Sequence, residues 1–146
     1  MDKLCISPAD AISDLADGAS IAVSGFGPTA GAPFSLLAAL DERGTSDLCF
    51  VGNTIPPGVQ ALIEARRVRH VMVSFTARAG GSSPAEDLIR EGGMTFELVP
   101  QGTLVERLRA AGAGLAAVYT PTGLHTPIAD GKEVRYFDGK PYLLET

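Results

Sequence analysis

The chain has 146 residues, of which 45% are hydrophobic and 20% charged, the profile of one globular domain able to build a core without disulfide or metal staples. Twelve lysines and arginines stand against 17 aspartates and glutamates, a net charge of −5, the wrong sign for neutralising phosphates, so neither nucleic acid nor an anionic membrane is an expected partner. The N-terminus lacks the apolar stretch of a secretory signal and no run approaches the ~20 apolar residues that span a bilayer, so the expected location is the cytoplasm.

In chain order, Ser7-Pro8-Ala9-Asp10 supplies a capping hydroxyl, a proline for the first helical position and an acid in the first turn, which predicts a helix from Ser7 to near Asp17-Gly18. Ser20–Val23 reads as a buried strand. Pro33 opens a second helix with Phe34, Leu37 and Leu40 at helical spacing, ending at Arg43-Gly44, and Leu48–Val51 forms the next strand. Val59–Arg66 reads as a helix and Val71–Phe75 as a strand. Ser83-Pro84-Ala85-Glu86 repeats the helix-start pattern before Gly92-Gly93, Thr95–Val99 is a strand, and Thr103–Ala111 is a helix in which Thr103 and Glu106 have the spacing of a capping box. Ala116–Tyr119 is a further strand. Glu133–Phe137 and Lys140–Leu144 flank Asp138-Gly139, a dipeptide suited to a two-residue type I′ turn, so the chain closes with a β-hairpin. Strands and helices alternate throughout the rest, which predicts an α/β fold with a mostly parallel sheet and flanking helices. No repeat, low-complexity tract or linker divides it, and one domain over 1–146 is the simplest reading. The two cysteines, Cys5 and Cys49, sit in short apolar runs and are expected in the core.

Each predicted strand runs into a small, polar or Gly/Pro-rich loop: Gly25–Gly31, Gly52–Gly58, Thr76–Ser83, Pro100-Gln101-Gly102 and Thr120–Gly123. In a parallel sheet such loops gather on the carboxyl edge, where open α/β folds bind ligands. Gly25-Phe26-Gly27-Pro28-Thr29-Ala30-Gly31 misses the dinucleotide fingerprint, because its third glycine falls one residue late and no acid follows the next strand. A phosphate loop with Gly-Lys-Ser/Thr is also absent. His70 and His125 have no cysteine or carboxylate at metal-ligand spacing, so no metal is expected. His125 either lines the site or is an ordinary surface or structural histidine. Glu86, Asp87, Glu91 and Glu106 fall on helices, where a solvated face accounts for them; for Arg66, Arg67 and Arg69 the preferred account is likewise a solvated face at a helix end, and the other is a basic cluster for ligand phosphates. What remains is a set of donors: glycine-rich turns that bring backbone N–H groups close to an oxygen, with the side-chain amides of Asn53 and Gln101. For Asn53 the competing role is turn formation, and for Gln101 a hydrogen bond to its own loop.

Asp17-Gly18, Ser24-Gly25-Phe26-Gly27 and Gly31-Ala32-Pro33 resemble the opening motif of the A (alpha) subunit of family I CoA-transferases, the 3-oxoacid group. Pro100-Gln101-Gly102-Thr103-Leu104-Val105-Glu106-Arg107-Leu108-Arg109, Gly112-Ala113-Gly114 and Tyr119-Thr120-Pro121-Thr122-Gly123 are similar to its second long motif, and Phe137–Lys140 with Tyr142–Glu145 to the stretch just beyond that motif. The resemblance runs in order along nearly the whole chain. It implies an open three-layer CoA-transferase-like fold and an A-side half-site for moving coenzyme A between a short acyl-CoA and a 3-oxo acid. It also implies a B (beta) subunit partner that carries the nucleophilic glutamate in a Ser-Glu-Asn-Gly motif absent here, within a heterotetramer or larger assembly. No permanently bound cofactor is implied; the coenzyme A thioester is a substrate. By the same resemblance Gln101 donates to the thioester oxygen and Asn53 meets the acid's carboxylate. Gly25, Phe26 and Gly27 shape the pocket floor, with Gly102, Thr122 and Gly123 as further substrate-binding positions. One such oxyanion donor is worth on the order of 3 kcal/mol.

Three departures stand out: Ser24 where the family has glycine, Asn53-Thr54 for Asn-Asn, and Ala77-Arg78-Ala79 for Gly-Glu-Asn. They keep an acyl-CoA hydrolase or ring-opening relative open as an alternative activity, and a non-catalytic metabolite-binding domain is the alternative outside enzymology. The family's A-side chains also continue for roughly another third of their length beyond the match to Leu144-Glu145, so the expectation is either one fragment of a split or processed subunit or a chain without the final strands, with an incomplete sheet and an exposed edge.

Overall fold

The computed structural model describes residues 4–25, 30–76 and 83–146, which fall into two units, Met1–Glu97 and Leu98–Thr146. In the first, Ser7 caps a helix as expected, its Oγ accepting the Asp10 N–H at 3.1 Å. This helix, α1, covers only Pro8–Ala11, far short of Gly18. Ser13 and Leu15 donate instead to Asp10 and Ile12 carbonyls in tight turns, in a segment whose Ser13 and Asp14 compete with helical bonding.

The remaining elements of this unit are β1 (Ser20–Ala22), α2 (Phe34–Arg43), β2 (Leu48–Gly52), α3 (Pro57–Glu64), β3 (Val68–Val73), α4 (Pro84–Arg90) and β4 (Thr95–Leu98). At α4 the capping box forms in both directions: Ser83 Oγ accepts the Glu86 N–H (3.3 Å) and Glu86 Oε2 accepts the Ser83 N–H (3.1 Å). The strands make one parallel sheet in the order β1-β2-β3-β4, with Ser20 opposite Cys49 and Phe50 opposite Val71. When neighbours in sequence are neighbours in the sheet, right-handed crossovers put their helices on one face, and α2 packs on α3 and α3 on α4. Leu48, Phe50, Val71 and Val73 bury against Leu40, Val59, Leu62, Ile63 and Leu88 to make the core. Truncating one such leucine to alanine costs about 2–5 kcal/mol. Cys49, on the alternate positions of β2, is half-buried, but Cys5 is exposed. It precedes the first element, so the core placement expected for it is corrected.

The second unit contains α5 (Gln101–Gly112), β5 (Val118–Thr120), a single 3₁₀ turn (Pro127–Ala129), β6 (Val134–Phe137) and β7 (Lys140–Glu145). The hairpin forms as expected: Phe137 pairs with Lys140, and both turn residues, Asp138 (φ 50°) and Gly139 (φ 75°), take the left-handed conformation that a type I′ turn requires. Contrary to the alternation pattern, β5 joins this hairpin, antiparallel to β7 in the order β5-β7-β6. The Phe137 ring packs edge-on against Tyr119 (5.1 Å between centroids) and Tyr142 (5.6 Å). Glu145 is 1% exposed. Its carboxylate accepts from Arg107 on α5 and from Lys132 Nζ at 2.8 Å.

Candidate functional site

The loops after β1, β2 and β3 leave the carboxyl ends of parallel strands, as expected. Gly25 follows β1 with φ 142°, and a Cβ there would stand 3.4 Å from the Ala30 carbonyl oxygen, so the turn needs glycine for both its backbone angle and its close approach. Ser24 Oγ donates to the Gly31 carbonyl across the same loop (3.1 Å). Phe26 and Gly27 lie outside the described residues, as does Ala77-Arg78-Ala79.

Asn53 is the residue after β2, and its carbonyl accepts the N–H groups of Ser74 (3.1 Å) and Phe75 (3.2 Å), which follow β3. This ties the two strand ends together. Asn53 Oδ1 and Ser74 Oγ are both buried and neither has a hydrogen-bond partner among the described residues. A buried polar atom without a partner costs stability, so two at neighbouring strand ends make this a candidate position for a polar ligand. Sequence reasoning missed Ser74; the available signal was its position as the first polar residue after an apolar strand.

In the second unit the helix bearing Gln101 starts two residues earlier than expected. Pro100, with φ −53° and ψ 139°, is the N-cap, and no side chain caps α5. Its carbonyl accepts the first helical bond, from Leu104 at 2.9 Å, which leaves the N–H groups of Gln101, Gly102 and Thr103 unpaired among the described residues. The expected Thr103–Glu106 capping box therefore does not form: Thr103 is already inside the helix, 3% exposed, with its Oγ1 unpartnered. Glu106 turns instead to Arg109, which donates from Nε (2.8 Å) and Nη2 (2.6 Å) to one oxygen, Oε2. That bond holds the Glu106 carboxyl below its ordinary range and raises the Arg109 guanidinium.

An open cleft of about 460 Å³ lies at this helix start, lined by Gln101, Gly102, Thr103, Val105, Glu106, Val118, Thr120 and Thr122. Gln101 is exposed, and Thr122 donates its N–H to Thr120 Oγ1 (3.2 Å). The chain thus brings Gln101, Gly102 and Thr122 together, with Gly123 following at φ 89°. Thr122 and Gly123 follow β5, which pairs antiparallel with β7, so their loop does not belong to the carboxyl edge of the parallel sheet; Gln101 and Gly102 follow β4.

The other candidates have local roles. His70 Nδ1 lies 2.8 Å from Thr95 Oγ1. His125 lines a separate cavity with Leu124, Pro127 and Tyr136. Arg66, Arg67 and Arg69 pair with Glu91 (3.5 Å), Asp41 (3.0 Å) and Asp47 (3.5 Å). No group of three or more histidines, cysteines, aspartates or glutamates suited to a metal occurs among the described residues, and no described helix is long and apolar enough to cross a membrane.

A family model described as Coenzyme A transferase matches residues 5–146. The chain belongs to the coenzyme A transferase family. Among its relatives in that family, the A subunit of 3-oxoadipate CoA-transferase from Pseudomonas putida is 42% identical over 99% of this chain and 63% of its own length. The A subunit of a probable succinyl-CoA:3-ketoacid coenzyme A transferase from Mycobacterium tuberculosis is 39% identical over 99% of this chain and 65% of its own. The chain therefore spans a little under two thirds of these CoA-transferase relatives. An acyl-CoA transferase from Escherichia coli O157:H7, solved in a thioester complex with CoA, shares the fold with a TM-score of 0.80 at 21% identity, covering 96% of this chain and 31% of that one. Glutaconate coenzyme A-transferase from Acidaminococcus fermentans gives 0.79 at 18%, covering 96% and 52%. The CoA-transferase fold expected from the sequence is the one observed.

Proposed function

We propose that this chain is the A-side half-site of a CoA-transferase that moves coenzyme A between a short acyl-CoA and a 3-oxo acid, completed by a B subunit bearing the nucleophilic glutamate. The observation that carries this reading is the cleft at the start of α5. When a carboxylate attacks a thioester, negative charge develops on the carbonyl oxygen, and donors fixed in advance stabilise it without reorganising. The Gln101 side-chain amide and the unpaired N–H groups of the first helical turn are such donors, and the helix dipole adds to them. Attack by the partner's glutamate on the acyl-CoA releases CoA thiolate and leaves an acyl anhydride. The thiolate then attacks the glutamyl carbonyl, expelling the first acid and forming a glutamyl-CoA thioester, which the second acid takes up by the reverse steps. Asn53, beside an unsatisfied Ser74, is assigned to the carboxylate of the acid.

The chemistry of Glu106 supports a nucleophile from outside the cleft. Its carboxylate is bound to Arg109 and held at low basicity, which weakens it as an attacking group. The named relatives are A subunits, which agrees with a divided site. The test is isotope exchange between an acyl-CoA and a free acid, with the chain alone and then with a B subunit. Exchange only in the mixture, with a covalent CoA adduct on the B subunit, is expected. Full-rate exchange by this chain alone overturns the division of labour, and acyl-CoA cleavage that needs no acid acceptor replaces transfer with hydrolysis.

A further inference from the structure

We propose that Glu106 recognises the thioester arm of the substrate, its free oxygen Oε1 accepting the amide N–H that lies two methylenes beyond the sulfur; this rests on the reading of the cleft as a thioester site. Both Arg109 hydrogen bonds end on Oε2, and Oε1 has no partner among the described residues. Glu106 is one of the residues lining the cleft, so its remaining carboxylate oxygen is the acceptor it can offer there.

Charge limits what can stand there. A carboxylate or phosphate beside an ionised Glu106 is repelled, whereas an N–H donor gains a charge-assisted hydrogen bond. The opposite holds at the helix start, where unpaired N–H groups and Gln101 favour a carbonyl oxygen. Thr103 adds a second sign that this end is built for a ligand: it is 3% exposed, lines the same cleft and keeps an unpartnered hydroxyl. One occupant must then present an oxygen at the helix start and an N–H at Glu106.

The spacing selects its length. Glu106 shares a helix face with Gly102 and Thr103, displaced along the axis by roughly 5 Å. An acyl thioester of an N-acylated cysteamine spans that interval, with carbonyl, sulfur, two methylenes and amide nitrogen in sequence. Val105 and Val118 in the cleft wall match the methylenes. A free short acid has no N–H at that distance, so Glu106 separates the thioester substrate from the acid substrate.

The test uses the full chain and two probes, S-acetyl-N-acetylcysteamine and the analogue in which an ester oxygen replaces the amide N–H, followed by backbone NMR titration. The amide probe is expected to bind about tenfold more tightly and to shift Gly102, Thr103 and Glu106 resonances. Glu106→Ala should abolish the preference and Glu106→Gln, which keeps a carbonyl acceptor, should retain most of it. Equal binding of both probes, or a preference that survives in Glu106→Ala, overturns the role of Glu106 while leaving the thioester reading of the cleft intact. If neither probe shifts the cleft resonances, both fail together.

Discussion

Arg107 Nε lies 3.0 Å from Glu145 Oε2, joining α5 to the last strand through side chains that are 11% and 1% exposed. Charges taken this far out of water stabilise only while paired, and removing Arg107 leaves the buried Glu145 carboxylate with Lys132 as its partner. Arg107→Ala is therefore expected to cost about 3–5 kcal/mol in urea unfolding, while Arg107→Met combined with Glu145→Leu recovers most of the loss. An Arg107→Ala protein as stable as the parent would show that Lys132 alone satisfies Glu145.

Ser74 should behave in the opposite way. Its hydroxyl is buried with no partner among the described residues, so Ser74→Ala removes a desolvated group without breaking a bond seen there and should leave the midpoint of denaturation unchanged or raised. In the assembled enzyme the same substitution, like Asn53→Ala, should raise KM for the free acid. A drop of more than about 1 kcal/mol in Ser74→Ala would reveal a structural hydroxyl.

Gln101 is exposed and has no side-chain hydrogen bond among the described residues that its loss could break, so Gln101→Ala should fold normally. In the complex with a B subunit its turnover should fall by ~100-fold, the usual loss for one oxyanion donor. Circular dichroism and thermal melting check the first expectation and steady-state exchange the second; parental turnover would remove Gln101 from the mechanism.

The Glu106–Arg109 pair sets a pH dependence. Because the hydrogen bond from Arg109 lowers the Glu106 carboxyl in the folded chain, its contribution is present above the ordinary carboxylate range and lost as pH falls through the lowered folded value. Carbon-detected NMR should find Glu106 titrating at lower pH than in Arg109→Ala. Identical midpoints would mean that the pair is not populated in solution.

Where local chemistry decides structure, the sequence could be read directly. Ser83 and Glu86 close their capping box, and Asp138-Gly139 makes its hairpin, because each motif carries its own hydrogen bonds or backbone angles. The arginines Arg66, Arg67 and Arg69 likewise proved to be a face of surface ion pairs. Local patterns failed where one competed with another or with distant pairing. Pro100 could start α5 without needing a capping side chain, so the Thr103 and Glu106 spacing was a coincidence that buried one and left the other bonded to Arg109. The antiparallel partner of β5 lies some two dozen residues along, at Leu143–Glu145, and no periodicity within β5 announces it. Gln101 and Asn53 were singled out as candidates by their residue types; Ser74 and the cleft position of Glu106 emerged only from burial and the tally of unmet hydrogen bonds.

Successive side chains on a strand point to opposite faces, so sliding β7 by a single position would carry Glu145 away from Arg107 and Lys132. The same slide would displace Thr120, aligned with Leu143, from its place in the cleft wall. An electrostatic latch at the far end of the polypeptide thus polices the alignment of the strands, and with it the shape of the opening in which Gln101 stands.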